Sequence, residues 1–170
     1  MTEKIPTQNF VEEYRVLYHA FHQLNRLCWQ NRLPLCRIEI YSHRGGRVLA
    51  CAINGKPYLI RFNLPYLAHG DDGGFIAVMA HEMTHIWQYE KGGPGGHQAD
   101  FKNEMFRIGV EYKQLCGPRW IRPDSAVGYC VNVRRLMQQD CSAALRVIAQ
   151  KRCSKKRDRE YFGIIRRELF

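Results

Sequence analysis

The stretch HEMTHIWQYEKGGPGGH, residues 81–97, decides how the rest of the chain is read. Residues four apart on a helix lie on nearly one face, so His81 and His85 can both reach a single metal ion. A helix is predicted from about Gly74 to Tyr89, with Ile76, Met79, Met83 and Ile86 on one side and Val78, His81 and His85 roughly opposite. The apolar side is expected to form core, and the histidine side to face a cleft. Lys91 to Gly96 breaks the helix with four glycines and a proline. A third helix then starts near His97, with Phe101, Met105, Ile108, Tyr112 and Leu115 as its apolar stripe. His97 shares the azimuth of that stripe and is expected to turn inward.

The residue types fit hydrolytic metal chemistry. Neutral imidazoles suit zinc, and a catalytic zinc usually has three protein ligands with a fourth position open. Glu82, next to the first histidine, is placed to act as general base on a water at the metal and to pass the proton on to a leaving amine. His97 is the expected third ligand and Glu104, near the same helical face, its rival. The metzincin pattern fails, because it needs Gly at 88 and His at 91 where the chain has Gln88 and Lys91. HExxH alone also fits an amphipathic surface helix that merely contains His and Glu.

Working outward, Asn9 to Gln30 is predicted to be a helix, capped by Asn9 and carrying Phe10, Tyr14, Leu17, Phe21, Leu24 and Cys28 as an apolar stripe. Three β-rich runs follow, at 36–42, 48–53 and 58–63, and Asn54-Gly55 signals a tight antiparallel hairpin between the last two. The expected fold is therefore α+β: a small three-stranded, mostly antiparallel sheet, a meander, packed with helices that include the HExxH helix. Beyond Gly117 a basic, mainly helical extension is expected, with helices near 131–150 and 157–170. The division is 1–116 for the domain and 117–170 for the extension.

Charge separates the two parts. Residues 1–115 hold 13 Lys+Arg against 11 Asp+Glu, whereas residues 116–170 hold 13 against 5, so +8 of the net +10 lies in the last third. Such an excess points to an anionic partner, nucleic acid before a membrane surface, or simply to a solvated basic face. Lys151, Arg152, Lys155, Lys156, Arg157 and Arg159 are the candidate phosphate contacts, giving sequence-independent, salt-sensitive binding. Trp120, between Arg119 and Arg122, can stack on an exposed base or pack in the core. The seven cysteines include no CxxC pair, and no run approaches the roughly 18 apolar residues of a membrane span. A reducing, cytoplasmic setting, with most cysteines in the core, is the expectation.

In the order of its elements the sequence resembles the SprT-like (Spartan-type) metalloprotease family. The match is carried by Asn31-Arg32-Leu33-Pro34, the three strand-like runs, His81-Glu82-Met83-Thr84-His85 and Gly96-His97-Gln98-Ala99-Asp100-Phe101, over about residues 8–115. The resemblance implies one catalytic zinc ion held by His81, His85 and His97, with Glu82 as the catalytic glutamate. It further implies cleavage of proteins trapped on DNA, stimulated by DNA, which gives the basic extension a purpose. Cys116, Cys130, Cys141 and Cys153 are spaced too widely for the cysteine zinc ribbon found in many members. Two readings stand beside it: a nucleic-acid-binding module with a structural or vestigial zinc, and a peptidase with Glu104 on the metal and no nucleic-acid partner.

Overall fold

The computed structural model describes residues 2–4, 11–43, 48–63, 74–113 and 117–120. The Asn9 cap, Phe10, Leu115, the two C-terminal helices and the basic run 151–159 lie outside the described residues. Helix α1 spans Val11–Trp29, and its predicted stripe, Tyr14, Leu17, Phe21, Leu24 and Cys28, is buried. The helix ends where Gln30 and Asn31 take left-handed backbone conformations, with φ of 56° and 61°. Asn25, a buried polar residue inside the helix, then clamps the Leu33 backbone from both sides. Its amide donates to the Leu33 carbonyl at 2.9 Å and its side-chain oxygen accepts the Leu33 N–H at 3.1 Å. The Leu-Pro element is thus fixed by hydrogen bonds that would leave buried groups unpaired if removed.

The sheet contains β1 (Thr2–Lys4), β2 (Arg37–His43), β3 (Ala50–Ile53) and β4 (Leu59–Asn63), in the order β1-β2-β4-β3. Two of its three pairings are antiparallel, including β3 with β4, but β2 runs parallel to β4. The expected meander is therefore corrected: β4 inserts between β2 and β3. Register explains why. Ile38 opposes Ile60 and Ile40 opposes Phe62, so the heaviest apolar pairs share one buried face. The lighter β3, half-buried throughout, is left at the edge. The short N-terminal β1 is a strand that the alternation pattern did not reveal.

Asn54-Gly55 does not form a two-residue turn. Ile53 opposes Leu59, leaving residues 54–58 as a five-residue connection, and neither Asn54 nor Gly55 is among the residues with positive φ. Along β2 the stretch not covered by β1 is capped from α1. The Tyr14 hydroxyl accepts the Ile40 N–H at 2.9 Å and the Tyr18 hydroxyl accepts the Ile38 N–H at 3.1 Å. Two backbone donors of the edge that β1 leaves open are satisfied in this way.

Helix α2 spans Gly74–Glu90 and carries the HExxH residues. From Ile76 to Ile86 every residue is buried, and Val78 belongs to the core alongside Met79 and Met83. The expected split between a core side and an open histidine side is therefore corrected. His81 and His85 are covered by Phe101 of helix α3 (Ala99–Arg107), and α3 and a hairpin of β5 (Val110–Lys113) and β6 (Gly117–Trp120) both pack on α2. Helix α3 is also shorter than the predicted stripe. It stops at Arg107 because Gly109 adopts φ of 83°, a conformation open to glycine, and Tyr112 falls on β5 instead. Strand β6 begins at residue 117, where the basic extension was expected to start, and pairs antiparallel with β5.

Candidate metal centre

Three histidines converge where α2 meets the loop before α3. His81 and His85 sit one turn apart on α2 with ring centroids 4.9 Å apart, and the ring of His97 lies 4.9 Å from the first and 5.0 Å from the second. The His97 Nε2 is 3.1 Å from the Nε2 of His81 and 3.2 Å from that of His85. A tetrahedral zinc with bonds of about 2.0 to 2.1 Å sets its nitrogen ligands about 3.3 Å apart, close to these two separations. One ligand atom from each of the three lies within 4.8 Å of the others, making them a group able to hold a metal.

His81 and His85 are buried and His97 is exposed. Burial holds the imidazoles neutral: His81 is pushed down to about 2 and His85 to about 4, in each case chiefly by desolvation. His97 is lowered too, by desolvation and then by the nearby Lys102 charge. Neutral imidazole is the form that binds a metal. Phe101 forms a wall to the group, 4.4 Å from the ring of His85, 4.8 Å from that of His81 and 4.8 Å from that of His97. The sequence placed Phe101 one turn after His97, but its contact with all three rings was not legible there.

His97 arrives through the glycine loop. Gly92 and Gly95 have φ of 73° and 77°, and a Cβ on Gly95 would fall 2.2 Å from the Tyr89 ring. Gly95→Ala therefore meets both a backbone penalty of about 1 to 2 kcal/mol and a steric clash. We expect a lower melting temperature and a weaker hold on zinc by the purified chain. Unchanged values in both would show that the loop does not set His97.

Glu82 is buried beside the group, and its carboxylate accepts the backbone N–H of Ala52 on the edge strand β3. Desolvation pushes its pKa up to about 8, against the downward pull of that hydrogen bond. Glu104, the rival ligand, is occupied elsewhere. Its Oε1 accepts the Trp29 indole N–H at 2.8 Å, and Arg107 donates to its two oxygens at 2.7 and 2.8 Å. Arg107 also donates to the Cys28 carbonyl at 2.8 Å, so this cluster fastens α3 to the end of α1. Local spacing does not mark Trp29, whose partner Glu104 lies 75 residues away.

Of the other candidates, Trp120 lies opposite Val110 in the β5–β6 ladder, and its side chain is outside the described residues. Lys151, Arg152, Lys155, Lys156, Arg157 and Arg159 also lie outside them. Among the described cysteines, Cys28 and Cys36 are buried and Cys51 is half-buried, all three as free thiols. No helix among the described residues is long and apolar enough to cross a membrane.

An α+β domain whose buried helix presents two histidines to a third beyond a glycine loop contains a group able to hold a metal ion. The chain belongs to the SprT-like family, whose model matches residues 17–119, more than half of its 170 residues. That membership makes it a metallopeptidase-type domain. No curated protein and no solved structure matches the chain in comparison.

Proposed function

We propose that the protein is a zinc-dependent endopeptidase that cleaves DNA-associated or DNA-crosslinked proteins, with DNA as activator or tether. The observation that carries this reading is the convergence of three neutral histidine nitrogens beside a buried glutamate. A zinc ion held by His81, His85 and His97 would supply Lewis acidity and lower the pKa of a water on its open position. The remaining work falls to the chain. Glu82 takes a proton from the attacking water and returns it to the leaving amine, acting first as general base and then as general acid. The Ala52 N–H holds the carboxylate on the side of the edge strand. His97, the exposed member, marks the side from which a substrate arrives.

Two observations weigh against the other readings. A structural zinc site is closed by four ligands, whereas the described group has three histidines and a neighbouring carboxyl suited to proton transfer. A glutamate-ligand peptidase would need Glu104, which Trp29 and Arg107 hold. The DNA part of the proposal rests on the +8 charge of residues 116–170 and on family likeness. It is tested by incubating the full chain with a protein bound to single-stranded DNA and with the same protein alone. Cleavage should be stimulated by DNA and should fall as salt rises. Cleavage indifferent to DNA would remove DNA from the account while leaving the peptidase in place.

A further inference from the structure

We infer that Gln88 and Asp100 form a positioning relay that presents the Nε2 of His85 to the metal and ties the two segments carrying the histidines together. The inference rests on reading the histidine group as a metal centre, but it concerns residues that the HExxH pattern does not contain. Gln88 stands three residues after His85 on α2 and is 0 % exposed. An uncharged polar side chain so deeply buried needs partners, and here it has two. Its Nε2 donates to Asp100 Oδ2 at 3.1 Å, while its Oε1 lies 3.1 Å from His85 Nδ1.

These contacts admit one arrangement of protons. A carboxylate only accepts, so the amide nitrogen of Gln88 must face Asp100 and the amide oxygen must face His85. That oxygen also only accepts, so the proton of the neutral His85 ring sits on Nδ1. The lone pair is then on Nε2, the nitrogen 3.2 Å from His97 Nε2. Asp100 therefore chooses the tautomer of His85 through the intervening amide.

The relay also crosses the loop. Asp100 lies in the first turn of α3, three residues after His97, where a carboxylate is favoured by the exposed N–H groups of the helix start and accepts the Phe101 N–H. On the other side, the Gln88 carbonyl accepts the N–H of Lys91 at 3.0 Å and of Gly93 at 2.8 Å, closing α2 and opening the glycine loop. One residue thus orients a ligand and holds the helix that follows the third ligand through its side-chain amide, while its backbone carbonyl ends α2.

The test uses the full chain, wild type and the variants Gln88→Leu, Asp100→Ala and Asp100→Asn. Two quantities are measured: zinc affinity by competition with a chromophoric chelator, and the tautomer of His85 from imidazole ¹⁵N shifts of the metal-free protein. Gln88→Leu should bind zinc about 10 to 100-fold more weakly, the usual range for partners behind a ligand, and should lose the pure Nδ1–H signature. Asp100→Ala should move both quantities in the same direction. Asp100→Asn, whose side-chain oxygen still accepts from Gln88, should restore both. A folded Gln88→Leu with wild-type affinity and an unaltered His85 signature would overturn the relay. If Gln88→Leu does not fold, equal values for Asp100→Ala and Asp100→Asn overturn it instead. Should the wild type bind no zinc, the metal reading fails by itself, and the ¹⁵N signatures still decide the relay.

Discussion

Replacing Glu82 by Gln should abolish proteolysis while making the metal-free protein more stable at neutral and alkaline pH. The loss of activity follows from its role as base, and a positioned base contributes about 10² to 10⁴-fold in rate. The gain in stability follows from its burial. The carboxyl has a pKa of about 8 when folded against an ordinary value of 4.5, so the folded chain holds this proton more tightly than the unfolded one. The raised pKa means that the stability it lends is complete below about pH 4.5 and is lost as pH rises through about 8. Gln has no proton to lose and can still accept the Ala52 N–H. Wild type and Glu82→Gln should therefore melt alike near pH 4 and diverge above it, by on the order of 3 to 5 kcal/mol beyond pH 8. Parallel melting curves at every pH would show that Glu82 is not buried as described, and retained proteolysis would remove it from the mechanism.

His97→Ala and Glu104→Ala should fail in opposite ways. His97 is exposed and carries a ligand nitrogen, so its loss should cost the zinc more than about 100-fold in affinity, beyond what the removal of a supporting partner costs. The metal-free fold should be nearly untouched. Glu104 is buried and receives the Trp29 indole and the Arg107 guanidinium. Truncating it leaves the indole N–H without an acceptor, at a cost of about 1 to 3 kcal/mol, while one zinc per folded chain should remain. Calorimetry and metal analysis of the two variants separate these outcomes. A reversal, with zinc lost from Glu104→Ala and kept in His97→Ala, would move the third ligand to Glu104.

The parts of the molecule that local spacing controls could be read from the sequence. His81 and His85 follow from the helical repeat, the return of His97 from the glycine loop, and the α1 stripe from its period, because each depends on residues within a few turns. What failed depends on distant neighbours. The parallel pairing of β2 with β4 is chosen by matching Ile38 with Ile60 and Ile40 with Phe62 across a connection that contains β3. The helical period of α2 could show two faces but not that Phe101 of α3 would cover the histidines. The apolar stripe running through Ile108 to Tyr112 hid the turn at Gly109, since a strand and a helix can place those residues equally well. Glu104 looks like a ligand in the sequence because the Trp29 indole that occupies it comes from the end of α1, 75 residues away.

The proposed chemistry requires three histidine nitrogens to form one metal centre, and metal content tests that most directly. The full chain and His97→Ala are each loaded with excess zinc, dialysed against the same metal-free buffer, and analysed for zinc per chain. One equivalent in the wild type and none retained in His97→Ala is the predicted result. A wild type that keeps no zinc, or a His97→Ala chain that keeps a full equivalent, would contradict it.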